Sequence, residues 1–293
     1  MKVVEAFKKN KPALSFEFFP PKTEEQEAHL FEVIAELKRY KPDFVSVTYG
    51  AMGNTRGKTI YWVGEIKKRF GIEPVAHLTC VNASRKEISE QIAQLKALGI
   101  ENVLALRGDL PEGTQGFVAP EGGFKYASEL VAFIKHEQPQ LCLGAAVYPE
   151  GHPENRDLNI EVEYIALKEQ SGAEFLITQL FFDNQVYYNL IEKCERAGIR
   201  VPIIPGIMPV GSYKSIVNMT VKSGTKLPEK LKENLERHKD DPKGIKEIGA
   251  EQAIKQCREL LRPEAGRAAV KGLHFFVLNQ VEPIATVLRE VAR

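Results

Sequence analysis

The sequence predicts a (β/α)8 barrel, an α/β TIM-barrel fold, with an extra helical excursion in its seventh βα unit. Three observations predict it. Eight short apolar, strand-favouring runs can be read along the 293 residues. Most are near-continuously apolar, as parallel strands buried on both faces are. Segments of helical periodicity lie between them, and several close on a glycine (Gly71, Gly99, Gly172, Gly198), where a helix C-terminus favours a residue without Cβ. Strands that alternate with helices imply a parallel sheet, and eight such units suffice to close it into a barrel.

The first run, Leu14–Phe19, holds Ser15-Phe16-Glu17-Phe18-Phe19-Pro20-Pro21. Phe favours strands, and the double proline cannot continue a ladder. Glu24–Tyr40 follows as a helix, with Leu30, Ile34 and Leu37 at i, i+4 and i+7. Phe44–Thr48 and Val75–Thr79 are the second and third strands. Ser84–Leu98 opens with Ser84 and Glu87 three apart, a capping-box pattern. Strand Val103–Leu106 precedes helix Tyr126–Lys135, and strand Leu143–Tyr148 precedes helix Glu161–Ser171. Strand Phe175–Phe181 leads into helix Gln185–Ala197, and strand Val201–Gly206 comes next. The charged stretch Lys222–Ile245 reads as the added surface helix, before helix Ile245–Leu261 and the last strand, Leu273–Leu278. No low-complexity linker interrupts this rhythm and no longer repeat overlies it, so residues 1–293 are expected to form one domain.

Totals exclude several function classes. The chain is 43% hydrophobic and 27% charged, ordinary values for a globular protein. Its formal charge is 40 − 39 = +1, which gives no broad attraction to nucleic acid or to anionic membrane. No apolar run approaches the roughly 18 residues of a membrane span. The Lys-rich segment Met1–Lys11 is not followed by the apolar stretch of a secretory signal, so a cytoplasmic location is expected. The four cysteines, Cys80, Cys142, Cys194 and Cys257, are far apart and form no CxxC pair. They read as reduced, space-filling residues. A dinucleotide fingerprint after the first strand and a P-loop are both missing. His152-Pro153-Glu154 resembles the start of a zinc-deaminase signature, but no P-C-x-x-C follows. His77 and His152 are not spaced as a helical metal pair, and no metal site is predicted.

Glu17 is the residue most out of place. Strand side chains alternate faces, so Ser15, Glu17 and Phe19 share one face, with Phe16 and Phe18 on the other. If that face is buried, the carboxyl pKa rises and Glu17 becomes a candidate general acid. If it is the wet face of an edge strand, Glu17 is an ordinary surface charge. Both readings stand on position alone. Barrel chemistry gathers at the C-terminal ends of the strands. Reading only those ends gives Glu17, Thr48, His77, Arg107-Gly108-Asp109, Tyr148 to His152, Gln179, and Asn279-Gln280. Any one of these could be structural: His77 a core histidine, Arg107-Gly108-Asp109 a turn with an ion pair. Their convergence on one rim suits a planar, heteroatom-rich ligand.

The blocks that carry these residues resemble the flavin-dependent methylenetetrahydrofolate reductases. They are SFEFFPPK at 15–22, DFVSVTYGA at 43–51, AHLTC at 76–80, ALRGDLP at 105–111, YPEGHPE at 148–154, ITQLFFD at 177–183, IIPGIMP at 203–209 and GLHFFVLN at 272–279. The resemblance runs from about Leu14 to Val287, and no C-terminal regulatory domain like that of animal members is expected. It implies a barrel that binds FAD, takes electrons from NADH or NADPH, and reduces 5,10-methylenetetrahydrofolate to 5-methyltetrahydrofolate in a ping-pong cycle that supplies methionine synthesis. It implies Glu17 as the general acid, kept partly neutral beside Phe19, and Asp109 as a catalytic residue between folate and flavin. It places Tyr49, Ala51, His77, Arg107, Gly108, Asp109, Tyr126, Ala127, Tyr148, His152, Glu161 and Lys168 on the flavin. It places Thr48, Asp109, Gln179, Met219 and Gln280 on the substrates. The chain departs from the pattern at Glu161, where an Asp is usual, at Tyr164 and Leu167, and at Gln280, where an Arg is usual. Self-association is expected. Two other readings are the same folate chemistry with a different electron donor, and a folate- or flavin-binding subunit without turnover.

Overall fold

A computed structural model of the chain describes residues 1–48, 56–81, 83–108, 117, 119–264 and 266–291. Its strands are β1 (Ala13–Phe18), β2 (Phe44–Val47), β3 (Glu73–Thr79), β4 (Asn102–Leu106), β5 (Cys142–Val147), β6 (Phe175–Thr178), β7 (Ile203–Ile204), β8 (Gly206–Ile207) and β9 (Gly272–Phe276). All pair in parallel, in the order β7-β6-β5-β4-β3-β2-β1-β9-β8. β7 and β8 are two halves of one predicted strand, split at Pro205. Proline has no N–H to give a ladder. Its carbonyl nevertheless accepts from His274 N at 3.1 Å, so the two ends of the order meet and the expected eight-unit barrel closes there. The sixth predicted strand ends early, at Thr178, and Leu180 to Phe182 are buried outside the ladder on the way to the next helix.

Helices cover the outside: α1 (Glu24–Leu37), α2 (Arg56–Phe70), α3 (Arg85–Ala97), α4 (Ala127–Glu137), α5 (Leu158–Gln170), α6 (Asn184–Arg196), α7 (Tyr213–Ser223), α8 (Glu229–Arg237), α9 (Pro242–Leu261) and α10 (Ile284–Val291). The capping box expected at Ser84 and Glu87 is present in full. Gly99 ends α3 at φ +67°, a conformation that would strain any residue with a Cβ. α8 is the extra helix expected within Lys222–Ile245, and α9 starts at Pro242, capped by Asp241. Among the described residues, no helix is long and apolar enough to cross a membrane.

Two layers of core follow from the strand alternation. Phe16 and Phe18 point outward and pack with Leu30, Ile34, Leu37, Trp62 and Ile66 of the flanking helices. Ser15 and Glu17 point inward. The bottom of the lumen is filled by Ala13, Phe44, Val75, Leu104, Cys142 and Phe175. A six-residue 3-10 helix, Val3–Lys8, closes that end from below. Val3 and Ala6 are fully buried, the Phe7 ring lies 6.0 Å from Phe44 and 5.8 Å from Phe175, and Val3 N donates to Asn102 Oδ1 at 2.7 Å. Gly144 leaves room for the Phe175 ring, since a Cβ there would lie 2.4 Å from it.

All four cysteines are free and buried. Burial pushes the thiols of Cys80, Cys194 and Cys257 up to about 12 and that of Cys142 up to about 11. The thiolate is the reactive form. A disulfide reagent at mildly alkaline pH is therefore expected to titrate no thiol in the native protein and all four after denaturation. Rapid reaction of any native thiol contradicts this packing.

Candidate active site

The C-terminal ends of the strands form the mouth of the barrel, and β1 delivers Glu17 to it. Glu17 faces the lumen, with its side chain 13% exposed, and is not on a wet outer face. Among the described residues, its contacts all fall on Oε2. Ser46 Oγ of β2 donates to that oxygen at 3.3 Å. His274 Nε2 of β9 lies 3.3 Å from it and is hydrogen-bonded. His77 Nε2 of β3 lies 3.4 Å away, within ion-pair reach but outside hydrogen-bond geometry. Both imidazoles are buried, at 3% exposure for His77 and none for His274.

The expected pKa of Glu17 is corrected by this arrangement. Burial alone would raise it. The hydrogen bond from His274, then the charge of His77, outweigh burial and hold the carboxyl well below its ordinary range. Desolvation can be anticipated from one strand. The two imidazoles come from strands far away in the sequence and meet Glu17 only when the barrel closes. The role expected for Phe19 is corrected too. β1 stops at Phe18, and Phe19 lies beyond the ladder, 43% exposed, with its N–H and C=O both bonded to the Asn279 side chain. Of the predicted face, Ser15 alone accompanies Glu17 into the lumen.

A second cluster sits at the ends of β4 and β5. Arg107 grips Glu154 with both arms, Nη1 to Oε2 at 2.7 Å and Nη2 to Oε1 at 2.8 Å. Nη2 also lies 3.4 Å from His152 Nε2, and the His152 ring meets Tyr148 edge-on at 4.7 Å. Burial and then the positive charge of Arg107 lower the His152 pKa, whereas hydrogen bonds from Arg107 lower that of Glu154. Gly108 follows at φ +88°, and a Cβ there would meet Thr79 and Val81 at 3.1 Å. The backbone thus makes a close-fitting shelf beside a guanidinium.

Beneath this cluster lies a buried pair from α5. Lys168 Nζ donates to Ala146 O at 2.9 Å and lies 3.8 Å from Glu161, which accepts from Tyr148 N at 3.1 Å. Burial raises the Glu161 pKa and lowers that of Lys168, each against the pull of its partner. Tyr148 joins the two clusters through its ring and its N–H.

The remaining predicted residues spread around the same rim. Thr48 follows β2 and donates its N–H to Phe18 O at 2.9 Å. Gln179 follows β6, its N–H bonded to Val147 O at 2.7 Å and its Oε1 accepting from Leu180 N at 2.9 Å. Tyr126 and Ala127 start α4, with Tyr126 45% exposed. Met219 lies on α7 against the cluster of Leu180, Phe182, Met208 and Ile216. Gln280 is exposed after β9, with its N–H bonded to Val277 O at 3.1 Å. Tyr49, Ala51 and Asp109 lie outside the described residues. Among the described residues, no group of three or more His, Cys, Asp or Glu could hold a metal ion. Sequence reading missed His274, Ser46 and Glu154. His274 carried the same signal as Glu17, a polar residue in the middle of an apolar strand.

Comparison with known proteins identifies the family. The sequence model of the family described as Methylenetetrahydrofolate reductase matches residues 2–292. The chain is 38% identical over 269 residues to the 5,10-methylenetetrahydrofolate reductase of Escherichia coli (strain K12), covering 92% of this chain and 87% of that one. It is 35% identical over 285 residues to methylenetetrahydrofolate reductase 1 of Schizosaccharomyces pombe, covering 97% of this chain and 46% of that one. The chain thus spans about half the length of the yeast and plant relatives it matches. Among solved structures, a Clostridium thermocellum protein that binds two copies of 5-methyl-5,6,7,8-tetrahydrofolic acid shares the fold, with TM-score 0.62 at 15% identity over 99% of this chain and 98% of that one. A 2,3-dimethylmalate lyase shares it at TM-score 0.56 and 9% identity, over 99% of this chain and 86% of that one.

Proposed function

The chain belongs to the methylenetetrahydrofolate reductase family, and on that premise we propose that it reduces 5,10-methylenetetrahydrofolate to 5-methyltetrahydrofolate, with NADH or NADPH as electron source and FAD as the resident cofactor. The observation that carries the reading is Glu17, an inward carboxylate at the barrel mouth with two buried imidazoles on one of its oxygens. Opening the five-membered ring of this folate needs a proton on the departing nitrogen and then a hydride on the methylene carbon. With its described contacts on Oε2, Glu17 can turn Oε1 to a ligand, which suits it to the proton transfer.

The residues at β4 and β5 fit a flavin. Arg107 offers a fork suited to a diphosphate, Gly108 packs its backbone against Thr79 and Val81 beside it, and His152 and Tyr148 flank it. Tyr126, Ala127, Glu161 and Lys168 complete the proposed holding set, with Tyr49, Ala51 and Asp109. The chemistry that a flavin supplies when bound is two-electron transfer between a nicotinamide and a folate. Glu154 occupies the Arg107 fork, so an arriving phosphate shares or displaces that carboxylate. Thr48, Gln179, Met219 and Gln280 are the proposed substrate contacts, with Asp109 between folate and flavin. Gln179 stands between β6 and the mouth, where folate and nicotinamide would meet it in turn.

The test is direct. Purified protein, reconstituted with FAD if colourless, is expected to show a flavin absorption spectrum, to oxidise NADH or NADPH with menadione as acceptor, and to form 5-methyltetrahydrofolate. Protein that neither carries nor binds FAD overturns the reading.

A further inference from the structure

Ser15 lies one inward position below Glu17 on β1, opposite His274 on β9. Its hydroxyl is 2.8 Å from His274 Nδ1 and 3.3 Å from Leu273 O. A hydroxyl has one hydrogen to donate and lone pairs to accept with. Two hydrogen-bond arrangements therefore fit the same atoms. With the Ser15 hydrogen on Nδ1, His274 is neutral and its Nε2–H points at Glu17. With that hydrogen on Leu273 O, the Ser15 oxygen accepts from Nδ1–H, and His274 is an imidazolium that also donates from Nε2 to Glu17. A fully buried imidazole that gains or loses a proton normally strands a polar atom, at considerable cost. Here a rotation of one hydroxyl satisfies both states. The His274 ring also stacks on Phe44 at 6.1 Å and meets Phe276 edge-on at 5.5 Å, so its plane is fixed while its charge changes.

From this geometry we infer that His274, with the Ser15 hydroxyl as its rotor, stores the proton that Glu17 delivers and reloads Glu17 in each turnover. The inference rests on the reaction proposed above and adds a positioning pair to it. In the resting pair His274 is an imidazolium and Glu17 a carboxylate. For delivery, the His274 Nε2–H bond breaks and a Glu17 Oε2–H bond forms, leaving a neutral imidazole and a carboxylic acid. The carboxyl then rotates to bring the protonated oxygen to the folate, gives its proton to the departing nitrogen and is again a carboxylate. The reaction consumes one hydride and one proton, and the proton is replaced from solvent. The port is Glu17, because its side chain is 13% exposed while His274 is sealed. Among the described residues, the titratable groups facing Glu17 are His77 on β3 and His274 on β9, and Ser46 on β2 adds a neutral donor. His77 Nε2 makes no hydrogen bond, whereas His274 is hydrogen-bonded to Glu17 through Nε2 and to the rotatable Ser15 hydroxyl through Nδ1.

The test combines a spectroscopic readout with a kinetic one. The protein contains six histidines, and labelling them with 15N reports the protonation and tautomer of each ring without any folate present. Ser15→Ala is expected to shift the His274 nitrogen signals. It is also expected to slow the folate half-reaction by about tenfold or more, part of the roughly 10²–10⁴-fold that a positioned acid contributes. The loss should fall on kcat and not on KM, and the pH profile should move. Ser15→Thr, which keeps the hydroxyl, should restore both readouts. If Ser15→Ala does not fold, His274→Gln serves instead. Its amide can still donate to Glu17 but cannot store a proton, so the same kcat loss is expected. Wild-type signals and a wild-type pH profile in a folded Ser15→Ala protein, or a wild-type kcat and pH profile in a folded His274→Gln protein, overturn the relay. Histidine signals that move in Ser15→Ala, in a protein whose wild type reduces no folate, overturn the proposed reaction and not the stored proton.

Discussion

Glu17→Gln is expected to lower folate reduction by about 10²–10⁴-fold, while NAD(P)H oxidation with menadione as acceptor persists. The substitution preserves shape and can still accept from Ser46, but an amide neither holds nor passes a proton. Stopped-flow measurement of each half-reaction separates the outcomes. Survival of both half-reactions at the wild-type rate would falsify the acid role. A pH consequence follows from the lowered Glu17 pKa. The folded protein holds this carboxylate ionised more strongly than the unfolded chain does. Its pairing therefore contributes stability above the ordinary carboxyl range, and that contribution fades as pH falls from there toward the folded value. Acid unfolding of Glu17→Gln lacks this component, so the variant's stability should fall less steeply below that range than the wild type's.

Lys168→Met carries the largest expected loss of stability, about 3–5 kcal/mol, the usual effect of removing one member of a buried ion pair. Lys168 and Glu161 have side chains 11% and 2% exposed. Without the ammonium, Glu161 keeps the Tyr148 N–H but has lost its counter-charge in a site that already raises its pKa. The damage should reach the proposed flavin side, because Tyr148 links this pair to His152 and Arg107. The double variant Glu161→Gln, Lys168→Met removes both charges and is expected to recover much of the loss. Chemical denaturation of the two single variants and the double gives the coupling directly. A loss below about 1 kcal/mol for Lys168→Met would place this pair with ordinary surface ion pairs.

The strands were legible because a buried parallel strand must be apolar on both faces, and the sequence shows such runs where the structure shows β1 to β9. Helix termini were legible where a side chain does the capping, as at Ser84 and Glu87. Part of what escaped was short or distant. The Val3–Lys8 and Ile284–Val291 segments are too brief for a helical period to stand out. Helix α2 went unread although Ile60, Val63 and Ile66 recur at three-residue spacing and are buried. Glu17 was legible as an oddity, but its ionisation was not. That depends on His274, which barrel closure brings beside β1 from near the other end of the chain. Arg107 was expected near a ligand, whereas its fork on Glu154 needed the turn after β5 to bring the carboxylate back across β4.

The small helix at Val3–Lys8 has a consequence for traffic. With Phe7 wedged against Phe44 and Phe175, the lumen is a cup and not a tube. Nothing the site exchanges with its surroundings can enter by one end and leave by the other. Among the described residues the lumen opens at the mouth above Glu17, and in the proposed reaction reductant, folate, product and replacement proton share it. The six residues at the far end of the molecule thus set the direction from which every visitor approaches the proposed site.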